Sequence, residues 1–254
     1  MKKIFLVTSD QFAASREIMI YLQSRFAVID DPEAADIIFA LGGDGTMLSA
    51  IRAHWRLGKP FCGINFGHIG FLLNSNEPKI LEEIAEGDYE SVENRMLAAQ
   101  VFRENDNWQE YALNDFYFRG DYGMAKIKVA VDGQYETLAC DGVIVSSAAG
   151  STAYNAASHG AILPIGTANM VLTGISTAVY HGFRTAQLSA ETKITLEPTE
   201  TDKRATSFYA DGIRMRGIVK AQMTLSQKKV YLLYAKSENY RQKVQSLQFP
   251  GWKK

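Results

Sequence analysis

The sequence predicts an α/β N-terminal domain with a parallel sheet, followed by a mostly antiparallel, β-rich C-terminal domain. Over residues 1–93, short apolar runs alternate with segments of helical spacing, which is typical of parallel strands joined by helices. From about residue 95 the apolar runs follow one another closely, as in antiparallel sheets. A Gly-Gly-Asp-Gly-Thr motif at residues 42–46 directly follows an early apolar run, which puts a glycine-rich turn between a strand and a helix.

The first domain is predicted to hold three strands and three helices. The strands are expected at residues 4–7, 37–41 and 60–65, and the helices at residues 9–26, 47–57 and 78–86. Ser9 or Asp10 would cap the first helix, and Pro78 suits the first turn of the third. Right-handed connections between parallel strands place a ligand crevice at the carboxyl ends of the strands, where Asp44 and Gly67 fall.

The second domain is predicted as a series of strands. They are expected at residues 111–119, 126–131, 135–146, 193–197, 206–209, 222–225 and 229–234. Asp132-Gly133 predicts a two-residue hairpin turn between the second and third of them. The boundary is predicted near residue 94, which gives domains of residues 1–94 and 95–254. The last ~20 residues are expected to pack back on the first domain.

Composition excludes several classes of protein. A net charge of −1 argues against a general nucleic-acid binder, which would carry a basic surplus. The apolar run at the N-terminus is too short for a signal peptide, and no stretch approaches membrane-spanning length. Cys62 and Cys140 both sit among apolar residues, so we expect buried thiols and no disulfide. The four histidines have no metal-ligand spacing. The sequence predicts a cytoplasmic protein that contacts neither nucleic acid nor membrane.

The glycine-rich turn is the strongest chemical signal. Bare backbone N–H groups at a helix N-terminus attract phosphate, and glycine lets a ligand approach the backbone closely. Asp44 would repel phosphate, so its presence favours a carboxylate that polarises a hydroxyl or holds a metal beside the phosphates. The alternative is a tight turn with a capping aspartate. The chain has no P-loop motif, and Leu48 stands where a Rossmann fingerprint needs a small residue.

Two further segments carry polar groups in unusual places. Residues 141–155 run from a strand into a loop of small residues, where Ser151-Thr152 could cap a following helix and Tyr154 could stack on a base. The alternative is an ordinary strand-to-helix loop, and Ser151 lacks the spacing of a hydrolase nucleophile. Asn114-Asp115 is a polar pair in an apolar strand, so at least one side chain needs a partner or lies at an edge.

Together these segments resemble the NAD kinase family over most of the chain. The motifs that carry the resemblance are Gly-Gly-Asp-Gly-Thr at residues 42–46, Gly-His-Ile-Gly-Phe-Leu at 67–72, Asn114-Asp115, and the Asp-Gly…Gly-Ser-Thr-Ala-Tyr stretch at 141–154. The resemblance implies a two-domain kinase that phosphorylates the 2′-hydroxyl of the adenosine ribose of NAD to give NADP. It also implies that the phosphoryl donor is ATP or another phosphoryl compound, and that a divalent metal, expected to be Mg²⁺, takes part. The family further implies a homodimer or homotetramer.

The resemblance also implies roles for residues. Asp44 would accept or orient the proton of the 2′-hydroxyl, and Asn114 and Asp115 would bind ribose hydroxyls. For the donor phosphates the candidates are Gly43, Gly45 and Thr46, and for phosphate or adenine His68. Around the adenine they are Phe71, Thr152, Ala153 and Tyr154, with Ala149, Asn155, Ala156 and Ala157 along the loop that carries Tyr154. Asp141 would lie near the nicotinamide, and Lys126 would be a contact from a neighbouring subunit.

The sequence departs from the family pattern in the second domain. Ala148 stands where the family usually has a proline, His159-Gly160-Ala161-Ile162 replaces Gly-Gly-Pro-Ile, and residues 172–177 lack the usual prolines. An Asp-Gly-Gln-like segment stands as Asp211-Gly212-Ile213. None of these changes removes Asp44 or the Asn114-Asp115 pair. We expect these departures to affect the affinity for substrate, the order of the loop and the assembly of subunits more than the type of reaction.

Three alternatives share part of these features. Diacylglycerol and sphingosine kinases carry a Gly-Gly-Asp-Gly-Thr loop, but the stretch at residues 141–154 and the Asn114-Asp115 pair favour a dinucleotide. A 6-phosphofructokinase-like sugar kinase carries Gly-Gly-Asp-Gly, but the β-rich second half argues against it. A catalytically slow NAD(P)-binding sensor would fit the departures, whereas Asp44 argues for turnover. The phosphoryl donor, the use of NADH and feedback by NADP(H) stay open.

Overall fold

The structure is a computed structural model that describes residues 1–8, 16–67, 70–179, 182–238 and 240–248. It divides into two compact units. The first comprises Met1–Glu93 and Val230–Lys254, and the second comprises Asn94–Lys229. The expected helix start at Ser9 or Asp10 lies outside the described residues, as does His68. None of the helices described is long and apolar enough to cross a membrane.

The first unit is a parallel sheet with helices. Its elements are β1 (Lys3–Thr8), α1 (Arg16–Arg25), β2 (Ala27–Ile29), β3 (Ile37–Gly42), α2 (Asp44–His54) with a 3₁₀ turn (Trp55–Leu57), β4 (Phe61–Asn65), α3 (Pro78–Glu86), the end of β16 (Ile218–Ala235) and α5 (Tyr240–Gln248). The strand order is β2-β1-β3-β4-β16, and all of these pairings are parallel.

Local sequence explains these elements. β3 is buried along its whole length, as expected of a strand covered on both faces of a parallel sheet. α3 begins with Pro78 and ends at Gly87, whose φ of 85° forms the left-handed cap that stops the helix. The core of the unit packs apolar side chains from the strands against α1 and α3, among them Phe39, Leu22 and Ile84. The predicted α/β domain with a parallel sheet is confirmed.

The second unit is almost entirely antiparallel. Its elements are β5 (Tyr89–Arg103), β6 (Asp106–Ala112), β7 (Asp115–Gly120), β8 (Ala125–Val131), β9 (Gln134–Cys140), β10 (Gly142–Ser147), a 3₁₀ turn (Ala149–Thr152), α4 (Tyr154–Ala157), β11 (Asn169–Ile175), β12 (Thr185–Ser189), β13 (Ile194–Thr199), β14 (Thr206–Ala210), β15 (Ile213–Arg216) and the first part of β16. One sheet has the order β16-β13-β8-β9, and the other has β12-β11-β10-β7-β14-β15.

The predicted β-rich domain is therefore confirmed, and so is its hairpin. Asp132 and Gly133 take φ values of 48° and 90°, and Val131 pairs with Gln134 across the turn. Phe116, Phe118 and Phe208 form the centre of the core of this unit, where the rings of Phe116 and Phe208 stack at 5.5 Å. Cys62 and Cys140 are both buried and free, as predicted.

Several predicted strand boundaries are wrong. The segment 111–119 breaks at Leu113-Asn114, and the segment 135–146 breaks at Asp141, because β9 and β10 belong to different sheets. The two strands predicted at 222–225 and 229–234 are one continuous strand, β16, whose polar residues 227–229 are exposed. The helix predicted at 47–57 begins at Asp44, and α1 is described from Arg16. β2, β5, β6, β11, β12 and β15 were not predicted.

Candidate active site

The Gly-Gly-Asp-Gly-Thr loop lies where β3 ends and α2 begins. Gly43 is the residue before the helix, and its carbonyl accepts the N–H groups of Thr46 at 2.9 Å and Met47 at 3.2 Å. The first N–H groups of a helix have no acceptor within it, and the helix dipole adds positive potential at the same end. The loop therefore has the geometry of an anion-binding site, as the sequence predicts.

The three glycines of the loop differ in what a side chain would meet. A Cβ on Gly42 would lie 2.3 Å from Oγ1 of Thr46, so the packing of the loop itself requires glycine there. A Cβ on Gly43 or Gly45 would meet nothing within 4 Å among the residues that the structure describes. These two glycines are not needed for packing, and they leave the backbone bare toward solvent. That arrangement suits a ligand that approaches the backbone.

Asp44 is held by two backbone donors. The N–H of Phe71 donates to Oδ2 at 3.0 Å, and the N–H of Leu72 donates to Oδ1 at 2.9 Å. Burial raises the pKa of the Asp44 carboxyl, while these two hydrogen bonds and the charge of Lys243 act in the opposite direction. Each carboxylate oxygen keeps a lone pair. The group is thus oriented, more basic than an ordinary aspartate and able to accept a proton.

Phe71 itself is buried, at 8% exposure, and its carbonyl accepts a hydrogen bond from the hydroxyl of Tyr234 at 3.2 Å. Its backbone, rather than its ring, makes the contact with Asp44. Thr46 is also buried, and its Oγ1 is the atom that a side chain at Gly42 would strike.

Asn114 lies in the break between β6 and β7, and Asp115 is the first residue of β7. The backbone N–H groups of Leu113, Asn114 and Asp115 all donate to the carboxylate of Asp211, at 2.8, 2.7 and 3.2 Å. Asp211 opens the turn between β14 and β15, with a φ of 45°. Its carboxylate satisfies three donors that the strand break would otherwise leave unpaired.

The side chains of this pair are buried and largely unused by the protein. Asn114 is 5% exposed and Asp115 is 4% exposed. Oδ1 of Asn114 has no hydrogen-bond partner in the part of the chain that the structure describes. Burial, with a smaller effect from the charge of Asp211, raises the pKa of Asp115 to about 8. A buried amide oxygen without a donor and a buried carboxyl fit a ligand that brings hydroxyl groups.

The loop of small residues packs directly on this pair. The N–H of Ser147 donates to the carbonyl of Asn114 at 2.9 Å, and a Cβ on Gly150 would lie only 2.2 Å from that oxygen. Ala148, at the position where the related family has proline, has a φ of −60°. Proline would fix a value close to this one. The loop thus keeps that backbone angle without the ring.

The loop is anchored by Ser151 and Asn155. The Ser151 hydroxyl donates to the carbonyl of Ala148 at 2.8 Å and accepts the N–H of Leu163 at 3.0 Å, so it does not cap the next helix. The Asn155 amide donates to the carbonyls of Ser151 and Ala161 and accepts the hydroxyl of Thr173. The Asn155 side chain is fully buried, and these bonds hold the loop together, while its predicted contact with the substrate stays a prediction.

Tyr154 belongs to an aromatic cluster on the face of the sheet that carries Asp115. The ring of Tyr117 stacks on Tyr209 at 4.5 Å and meets the edge of Tyr154 at 5.0 Å. Tyr117 lies two residues beyond Asp115 on β7, which places both side chains on one face. Burial, followed by the charge of Asp115, raises the pKa of the Tyr117 hydroxyl. The cluster offers flat apolar surface beside the polar pair.

The other predicted residues are placed as follows. Ala149 and Thr152 are buried, Ala156 is half-buried, and Ala153 and Ala157 are exposed. Asp141 precedes β10, whereas Ser146, which pairs with Asp115, lies near its other end, so the structure does not bring Asp141 together with Asp115. Lys126 forms an exposed ion pair with Glu200.

Four residues of these sites were not predicted: Asp211, Tyr117, Tyr209 and Lys243. An Asp-Gly hairpin signal marks Asp211, but nothing local indicates that its carboxylate serves a backbone about a hundred residues away. Tyr117 could have been found from its spacing of two from Asp115. No group of three or more His, Cys, Asp or Glu side chains that could hold a metal ion occurs among the described residues.

Comparison with known proteins gives consistent results. Residues 11–90 match the family described as ATP-NAD kinase N-terminal domain. The chain is 36% identical over 202 residues to an NAD kinase of Rhizobium meliloti, covering 78% of each chain. It is 32% identical over 251 residues to an NAD kinase of Mesorhizobium japonicum, covering 97% of this chain and 96% of the other.

Two solved structures share the fold. Yeast NADH kinase complexed with NADH superposes with a TM-score of 0.82 at 17% identity, covering 100% of this chain and 89% of that one. An NAD kinase from Archaeoglobus fulgidus in complex with ATP has a TM-score of 0.76 at 21% identity, covering 97% and 98%.

Proposed function

This chain belongs to the NAD kinase family, and we propose that it transfers the γ-phosphoryl group of ATP to the 2′-hydroxyl of the adenosine ribose of NAD. The products are NADP and ADP. The observation that carries the proposal is the Asp44 carboxylate, oriented by two N–H donors beside glycines that leave an anion site open. The relatives are NAD kinases by name, and the residues of this chain fit the proposed reaction.

Asp44 is the general base of the proposed step. A bond forms between the 2′-oxygen and the γ-phosphorus while the bond from that phosphorus to the bridging oxygen of ADP breaks, and the hydroxyl proton passes to Asp44. Because burial raises its pKa, this carboxylate accepts a proton more readily than an exposed aspartate. Positioning of the two reactants supplies much of the remaining acceleration.

The donor phosphates are proposed to bind at the start of α2, at the backbone of Gly43 and Gly45 and beside Thr46, whose own N–H closes the first turn onto the carbonyl of Gly43. ATP is the proposed donor. Mg²⁺ binds phosphate oxygens readily and usually keeps several of its waters, so it needs few ligands from the protein. A magnesium ion is proposed to arrive bound to ATP, and that ion would neutralise charge on the phosphates when bound.

Asn114 and Asp115 are proposed to bind ribose hydroxyls of NAD. The unpartnered Oδ1 of Asn114 would accept one hydroxyl hydrogen, and the Asp115 carboxyl would bond a neighbouring one. Tyr154 would stack on the adenine, beside Thr152 and Ala153. Phe71 and His68 are proposed as further substrate contacts. Ala149, Ala156 and Ala157 leave room along the loop.

The division of labour between domains is also a proposal. The first domain would carry the phosphate loop, and the second would bind NAD. Asp141 is proposed to approach the nicotinamide end of NAD, and Lys126 is proposed to contact NAD from a neighbouring subunit of a homodimer or homotetramer. The cytoplasm is the proposed location, where NAD and ATP are both available.

The test is the formation of NADP by the purified chain from NAD, ATP and Mg²⁺, followed with an NADP-specific dehydrogenase. Turnover with NAD and none with its 2′-deoxyadenosine analogue supports the proposal. Binding of NAD by calorimetry without any NADP would favour a sensor instead. If NAD does not bind, the chain would next be tested with diacylglycerol and sphingosine as acceptors.

A further inference from the structure

The segment 70–75, whose backbone holds Asp44, forms hydrogen bonds at nearly every peptide group. Residues 70–74 are buried, and buried backbone groups need partners. The N–H of Asn74 donates to the carbonyl of Gly63 at 2.8 Å, and its carbonyl accepts the N–H of Asn65 at 2.8 Å. The N–H of Ser75 donates to Glu238 at 2.6 Å. The two donors to Asp44, Phe71 and Leu72, lie in the middle of this anchored stretch.

Lys243 of α5 bonds to two further carbonyl groups of the segment. Its ammonium group donates to the carbonyl of Gly70 at 3.2 Å and to the carbonyl of Leu73 at 2.7 Å. These carbonyls lie on either side of the Phe71-Leu72 pair. The same ammonium group forms an ion pair with Glu238 at 2.9 Å, and the Glu238 side chain is only 5% exposed. Lys243 is thus fixed by three partners at once.

The positive charge of Lys243 also balances the negative charge of the buried Glu238 carboxylate. Glu238 would be a buried carboxylate without a counter-ion if Lys243 were absent, and an unpaired buried charge is strongly unfavourable. One oxygen of Glu238 accepts the N–H of Ser75, and the other pairs with Lys243. The ion pair therefore ties both ends of the segment to the chain that leads into α5.

We infer that Lys243, oriented by Glu238, is a positioning residue for the reaction of Asp44. Through the carbonyl of Gly70 it holds the peptide whose N–H, that of Phe71, donates to Asp44, and through the carbonyl of Leu73 it holds the chain just beyond Leu72. Its proposed effect on the reaction runs through this backbone. The inference rests on the proposed function, because it concerns the orientation of the proposed base. It assigns a role in catalysis to the C-terminal helix, to which neither the motifs nor the resemblance assigns one.

Lys243 has an electrostatic effect as well. Its positive charge lowers the pKa of Asp44, in opposition to burial. Among the described residues, the other ionisable groups around them include Glu238 and the hydroxyls of Tyr234 and Tyr240. Burial, with a smaller contribution from the charge of Asp44, raises the pKa of both hydroxyls, to about 12 for Tyr240. Both tyrosines are therefore neutral at the pH of the assay. Loss of the Lys243 charge should raise the pKa of Asp44, so that the base loses its proton only at higher pH.

The first test is the pH profile of Lys243→Met. We expect kcat to fall about tenfold or more, because a misaligned base loses orientation, while KM for NAD stays within about twofold. The acid limb of kcat/KM should move up by about half a pH unit or more. Lys243→Arg keeps the charge and should keep the acid limb of the wild type. Lys236→Met, which removes an exposed ion pair with Asp88 in the same unit, is the matched control.

The second test does not depend on activity. Amide hydrogen exchange of a peptide covering residues 70–75 should speed up about tenfold or more in Lys243→Met and stay unchanged in Lys236→Met. Unchanged exchange together with an unchanged kcat and acid limb would overturn the inference. If the wild type makes no NADP, the proposed function fails, and the exchange result alone then decides whether Lys243 positions the segment.

Discussion

Asp44 and the Asn114-Asp115 pair are both held by backbone N–H groups that donate to a carboxylate, but Asp44 supplies the carboxylate whereas Asn114 and Asp115 supply the N–H groups. In the first unit, two backbone N–H groups hold the side chain of Asp44. In the second unit, the backbone of Asn114 and Asp115 is held by another carboxylate, that of Asp211, and their own side chains are left for a ligand. The donors keep the rise in the pKa of Asp44 in check, whereas Asp115 has no such donors among the described residues, and its pKa rises to about 8.

The comparison teaches that burial alone does not set the chemistry of an aspartate. A carboxylate that accepts two N–H bonds stays oriented and accessible to a hydroxyl proton. A buried carboxyl beside another acidic group retains its own proton into the neutral range. One arrangement suits a base, and the other suits recognition of hydroxyl groups.

The largest expected effect is a pH dependence that comes from Asp115. Its folded-state pKa lies above the unfolded value, so the folded state binds more protons, and its stabilising contribution is lost as pH rises from about 4 through about 8. Compared with Asp115→Asn, the wild type should lose stability over this range by at most about 1.4 kcal/mol per pH unit. Urea unfolding at pH 5, 6.5 and 8 measures it. Parallel curves for the two proteins would contradict the account.

The next expected effect is a difference in stability between alanine variants of two similar hairpin turns. Asp211 and Asp132 both open an Asp-Gly hairpin turn, with φ values of 45° and 48°. Asp211 accepts three N–H groups, whereas Asp132 accepts one exposed N–H, that of Lys193. Both Ala variants lose the same turn preference, so the difference reports the buried bonds.

Asp211→Ala should therefore lower the free energy of unfolding by about 2 kcal/mol more than Asp132→Ala, because it leaves buried donors unpaired. It should also weaken binding of NAD, since the peptides of Asn114 and Asp115 lose their anchor. Chemical denaturation and calorimetry check the two effects. Equal destabilisation by both variants would show that the Asp211 carboxylate is not what holds the strand break.

The smallest expected effect concerns the two kinds of glycine in the phosphate loop. Gly42→Ala should destabilise the protein by about 1–3 kcal/mol, because its Cβ would lie 2.3 Å from Thr46. Gly43→Ala should leave stability within about 0.5 kcal/mol, because its Cβ meets no neighbour. It should nevertheless raise KM for ATP about tenfold by obstructing the approach of a phosphate. Unchanged KM in a stable Gly43→Ala would argue against phosphate binding there.

The sequence predicts the local features of the molecule well. The buried run of β3, the helix that starts with Pro78 and the Asp132-Gly133 turn all follow from a few neighbouring residues. The continuity of β16 does not, because its exposed polar residues 227–229 resemble a turn in the sequence although the strand runs through them.

The site residues that the sequence did not predict bond to groups far away in the chain. Asp211 lies 98 residues from Leu113, and Lys243 lies 173 residues from Gly70. Both bond to backbone groups, which have no residue-specific signature in the sequence. The motifs indicate which side chains do chemistry, and the fold supplies the partners that aim them.

The most direct test of the account is the rate of NADP formation by Asp44→Asn at saturating NAD and ATP. Asp36→Asn is the control, because Asp36 also accepts a backbone N–H, that of Lys3, but lies exposed on the surface. We predict a loss of about 100-fold or more in kcat for Asp44→Asn, with NAD still bound, and no loss for Asp36→Asn. A fully active Asp44→Asn protein would contradict the assignment of Asp44 as the base.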